Sequence, residues 1–183
     1  METRKNKTGK TLRGLLLMLL MTAAVVALLA SVNRLPLVTQ KGLMRRYGSI
    51  EEAKRALGLE QVLVPSYFPE GITWPPSLVL AQKNPYPAVV MEFKKAAAKE
   101  TALIVIQASP AGVNGQLQRV KMSELKEETR YALKGKTVIL QVGTCDNGMP
   151  CSRMAWQDNG FQRTILLMSS PFELIRIAES MIP

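Results

Sequence analysis

Residues 78–108 read LVLAQKNPYPAVVMEFKKAAAKETALIVIQA. Three apolar runs stand out in this stretch, Leu78–Gln82, Ala88–Lys94 and Ala102–Ala108. They are short and rich in Val, Ile and Leu, which is the length and composition of strands. Asn84-Pro85-Tyr86-Pro87 and Lys95–Lys99 separate them as turns. Links this short between neighbouring strands predict an antiparallel meander. The pattern continues downstream, predicting strands at Gln118–Met122, Thr137–Val142, Arg153–Gln157 and Phe161–Met168, with Asp158-Asn159-Gly160 as a tight hairpin turn between the last two. Glu124–Tyr131 reads as a loop or a single helical turn, broken from the next strand by Gly135.

Upstream, Val62–Ser77 carries four prolines and one glycine in sixteen residues, which excludes a helix or a central strand. Its aromatic residues Tyr67, Phe68 and Trp74 are candidates for a binding surface. The competing reading is an extended segment that wraps the domain and pins itself with those rings. Ahead of it, Ser49-Ile50-Glu51-Glu52 is a capping-box pattern, which predicts a helix from Ile50 to Leu57 stopped by Gly58. At the other end, Ser170-Pro171-Phe172-Glu173 predicts a helix over Pro171–Met181. Phe172, Leu174, Ile175, Ile177, Ala178 and Met181 should form its apolar face, lying across the sheet. The fold class expected is α+β, a curved antiparallel sheet closed by a C-terminal helix.

Between Arg13 and Asn33 lies GLLLMLLMTAAVVALLASV, nineteen residues without a charge. As a helix this segment would reach roughly 28 Å, close to the hydrocarbon thickness of a bilayer. The organisation expected is a basic cytoplasmic tail at 1–13, an uncleaved transmembrane signal anchor at 14–32, a juxtamembrane linker at 33–48 and an extracytoplasmic domain at 49–183. Leu28 occupies a place where a cleavage site needs a small residue, which favours retention. The location expected is therefore a single-pass protein of the cell membrane, with the membrane itself a partner through residues 14–32. Ala23, Ala27 and Ser31 form a small-residue stripe through which two such helices could pack into a homodimer.

The chain's 183 residues carry a net charge of +10, of which the first thirteen supply +4. The remaining basic residues are scattered and not interleaved with aromatic ones, so nucleic acid is not an expected partner. Histidine is absent, which removes the commonest general base and every Ser-His or Cys-His arrangement. No glycine-rich phosphate loop occurs, and neither a metal nor another cofactor is expected. Cys145 and Cys151 flank the turn-forming DNGMP; a small disulfide loop is the favoured reading, with two free thiols as the alternative.

Pro65-Ser66-Tyr67-Phe68-Pro69-Glu70-Gly71, together with Trp156-Gln157-Asp158-Asn159-Gly160-Phe161 and the ending Phe172–Ser180, resembles an uncharacterised domain family of bacterial membrane-anchored proteins, some anti-sigma-factor-like and some sporulation-associated. The resemblance covers Val62 to the end and implies an extracytoplasmic antiparallel sheet closed by a last helix. It implies no catalytic residues, and Trp74-Pro75-Pro76 and the cysteine pair depart from it. The function expected is a non-enzymatic binding domain, a sensor or accessory subunit with a protein partner in the cell envelope. The alternative is a carrier of a lipid or other hydrophobic ligand.

Overall fold

The computed structural model describes residues 18–25, 44–59, 62–97, 100–110, 120–169 and 171–183. Two units are distinguished, residues 1–42 and Leu43–Pro183. In the first, residues 18–25 form a helix. Among the described residues no helix is long and apolar enough to cross a membrane. This corrects the expected membrane-spanning anchor and the single-pass membrane location. The flanks of the apolar run, 14–17 and 26–32, lie outside the described residues, as do the tail at 1–13 and residues 33–43. Of the small-residue stripe, Ala27 and Ser31 lie outside them too.

The second unit is mostly β, which corrects the expected fold class: a membrane helix followed by an α+β domain gives way to one antiparallel sheet of eight strands accompanied by short helices. The strands are β1 (Arg45–Tyr47), β2 (Leu78–Gln82), β3 (Ala88–Lys94), β4 (Thr101–Ala108), β5 (Met122–Leu133), β6 (Lys136–Cys145), β7 (Pro150–Asp158) and β8 (Phe161–Leu167). The helices are α1 (Ile50–Leu57) and α2 (Pro171–Met181). The strand order is β1-β2-β3-β4-β8-β7-β6-β5, so the sheet is two meanders, with the last strand joining them. β1 falls within residues 33–48, the stretch read as linker, and pairs with β2.

Helix α1 starts where its sequence says it must. Ser49 Oγ accepts from the Glu52 amide at 3.1 Å, and Glu52 reaches back to the Gly48 amide at 2.8 Å. Gly58 ends the helix in the left-handed region at φ 61°, a conformation that costs a residue bearing a Cβ. Ile50 and Ala53 of α1 pack on one face of the sheet with Leu174, Ile177, Ala178 and Met181 of α2. Beneath them lie Met91, Phe93, Leu103, Met154, Trp156, Ile165 and Leu167, all buried. Burying one such large apolar side chain contributes roughly 1.5–3 kcal/mol. The opposite face has its own apolar cluster, centred on Val90, Ile104, Ile106 and Leu166 and reaching the two cysteines.

Cys145 and Cys151 are joined as a disulfide and nearly fully buried. Their bond closes the β6–β7 hairpin, where the Cys145 amide donates to the Met149 carbonyl at 2.9 Å. Two readings of single elements are revised. Glu124–Tyr131 is the middle of the twelve-residue strand β5, and Phe172 points away from the core, 76% exposed. Gln118 and Arg119 lie outside the described residues.

Candidate functional site

The proline-rich strap at 62–77 is held at three places. At its start, the Leu63 amide donates to Gln107 Oε1 at 2.9 Å, and Gln107 Nε2 donates back to the Leu63 carbonyl. In its middle, Ser66 and Tyr67 bond to α2: the Ser66 amide donates to Ser180 Oγ at 3.2 Å, and Tyr67 Oη donates to Glu173 Oε2 at 2.7 Å. At its end, Thr73 and Ser77 amides donate to the carbonyls of Lys94 and Glu92 at 3.0 and 2.8 Å, while Ala96 donates to the Gly71 carbonyl at 2.7 Å. Gly71 sits at φ 83°, which a Cβ would strain, so the Pro69-Glu70-Gly71 turn has a backbone reason for its glycine.

The strap separates the three aromatic residues singled out in the sequence. Phe68 and Trp74 come together, with ring centroids 5.8 Å apart, and both lean on Phe93, at 5.1 and 6.2 Å respectively. Phe93 is fully buried in strand β3, while Trp74 is 55% exposed. The result is a large aromatic surface on a fixed base. Tyr67 is engaged elsewhere: its ring lies under the Arg176 guanidinium at 4.2 Å, and Arg176 stands 3.7 Å from Glu173. Because the Tyr67 hydroxyl hydrogen is given to the Glu173 carboxylate, the phenol is held above its ordinary range; burial adds to this and the Arg176 charge opposes it.

Beside the strap lies an apolar groove of about 240 Å³. One wall is Pro69–Ile72, the other the start of the β3–β4 turn, Lys95, Ala96 and Ala97. Ala102 of β4 and Leu167 and Met168 at the end of β8 contribute apolar lining, and Glu173 of α2 closes it. The groove exists because Gly71, Ala96, Ala97 and Ala102 are small where four segments meet. Glu70, Lys95 and Glu173 supply its charge. Glu173 already accepts from Tyr67, and that bond fixes the position of its carboxylate at the groove. Sequence reasoning marked the aromatic residues of the strap but not these small ones, since no local pattern distinguishes an alanine that lines a groove from one that lies in a strand.

A second polar assembly occupies the far ends of the same two strands. Arg163 of β8 is completely buried, and its Nη1 donates to Gln107 Oε1 across the β4–β8 pair. Its Nε is 3.8 Å from Asp158 Oδ2, and Lys136 Nζ is 2.8 Å from Asp158 Oδ1. Burial lowers the Arg163 guanidinium from its ordinary value, and the Asp158 charge opposes that shift. The strap is thus hydrogen-bonded at Leu63 to Gln107, which in turn accepts from the buried Arg163, while Asp158 is ion-paired to Lys136 and lies close enough to Arg163 to oppose its charge. Among the described residues no three His, Cys, Asp or Glu side chains are grouped to hold a metal ion. No family model, curated protein or solved structure matches the chain.

Proposed function

We propose that this chain is a non-enzymatic recognition module, a sensor or accessory subunit that holds a protein partner on the strap and the groove beside it. The observation that carries this reading is Trp74, more than half exposed yet stacked on the buried Phe93 and tilted against Phe68. Tryptophan is over-represented among the residues that dominate binding energy, and a ring fixed in advance loses little freedom on docking. The lack of histidine and the engagement of Glu173 by Tyr67 favour binding over catalysis. The carrier reading has less support. Pockets for whole small ligands span roughly 300–1,000 Å³, whereas this groove measures about 240 Å³, and the larger hollows of about 660 and 580 Å³ are lined in part by polar side chains such as Lys83, Asn84, Arg130 and Gln157.

A photocrosslinking residue placed at position 74 of the full chain, in the cells that make it, tests the reading. A discrete protein adduct is expected, absent when the probe sits at Lys83, exposed in the β2–β3 turn at the end of β3 away from Phe93. In the purified pair, Trp74→Ala should weaken binding by on the order of tenfold or more. Equal adducts from both positions, or an affinity unmoved by Trp74→Ala, would sink the assignment.

A further inference from the structure

We propose that β5 pairs with β5 of a second copy of this chain, joining two eight-stranded sheets edge to edge about a twofold axis at Thr129. β5 is a terminal strand of the sheet and is twelve residues long, and the side chains from Ser123 to Arg130 are exposed. Among the described residues its ladder is made with β6 alone. The outward N–H and C=O groups of such an edge are satisfied only by water or by another strand.

Natural edges are commonly blunted, and the two edges here differ in how far. β1 is three residues long and begins with two arginines. β5 is blunted only in its first half, where the pairing slips between Met122 and Glu124 and again between Leu125 and Glu127. From Glu127 to Leu133 it pairs one for one with Val142 to Lys136. Seven consecutive residues therefore keep a regular strand geometry that a second strand can extend.

The charges select the second strand. In an antiparallel pair related by a twofold axis, residues equally spaced on either side of the centre face each other on the same side of the sheet. Centring the pair on Glu127, Glu128 or Arg130 places a charge against its own copy. Centring it on Thr129 places Thr129 against Thr129, Glu128 against Arg130 twice and Glu127 against Tyr131 twice, with no like-charged pair in the regular stretch. Glu128 and Arg130 already lie 3.7 Å apart within one strand, on one side of it. Their alternation is what a self-complementary edge requires.

Sedimentation velocity of the full chain over a concentration series tests the proposal. The wild type is expected to show a concentration-dependent dimer. Arg130→Glu turns two attractive cross-strand pairs repulsive and should weaken association on the order of tenfold. The double variant E128R/R130E restores opposite charges at every pair and should return association to the wild-type level. If Arg130→Glu does not fold, Glu128→Arg alone carries the same expectation. A wild type that stays monomeric throughout, a dimer unmoved by Arg130→Glu, or a double variant as weak as the single one would each overturn the proposal.

Discussion

Tyr67 and Glu173 are 106 positions apart in the chain and share one proton-mediated contact of 2.7 Å. Ionising the phenol would remove the proton it donates to Glu173, which is the chief reason its pKa is raised. The contact therefore contributes in full below the unfolded tyrosine value of about 10 and is lost as the pH rises through the higher folded value. Replacing Glu173 by glutamine should move the Tyr67 ionisation midpoint downward, toward the ordinary range. Tyrosinate absorbance, read as a difference from a Tyr67→Phe chain, measures it; a midpoint that stays put would show that Glu173 is not the cause. At this scale the sequence exposed the participants but not their grouping. Tyr67, Phe68 and Trp74 were visible as aromatic residues in a proline-rich stretch. That one of them would turn to α2 and the other two to Phe93 depends on partners tens of residues away.

Elements with a local signal were legible and those without one were not. The caps of α1 could be read from Ser49, Glu52 and Gly58 because each satisfies or relieves the backbone within a few residues. β5 could not, because MSELKEETRYAL lacks the alternation of apolar and polar residues that a half-buried strand shows; it is exposed on both faces and held by pairing with β6. That pairing leans on Gly143. A Cβ built there would come within 2.0 Å of the Glu124 carbonyl oxygen and 3.0 Å of Met122 Sδ, at the point where β5 slips register. A backbone atom cannot yield as a side chain would. Gly143→Ala should therefore cost about 1–3 kcal/mol, seen as a lower denaturant midpoint. Hydrogen exchange should quicken first along Met122–Glu127, and protection unchanged there would contradict the crowding.

Among the described residues, β8 is the strand through which the two meanders are hydrogen-bonded into one sheet. It pairs with β4 on one side, from Leu103↔Leu167 to Ala108↔Gln162, and with β7 on the other, from Ser152↔Leu167 to Asp158↔Phe161. A chain ending at Gly160 lacks β8 and α2 together, and it should lose the cooperative thermal transition of the complete protein in circular dichroism. A sharp transition surviving that truncation would mean the halves fold on their own. The joint is also the last strand to be made. Translation delivers residues at roughly 5–20 per second, so β4, apolar on both faces, leaves the ribosome several seconds before its neighbour exists. Until then the nascent protein carries an uncovered apolar strand edge, the kind of surface that chaperones capture and that aggregates when they do not. The order of strands in space thus makes the emergence of β8, rather than of any earlier strand, the moment at which this sheet becomes one object.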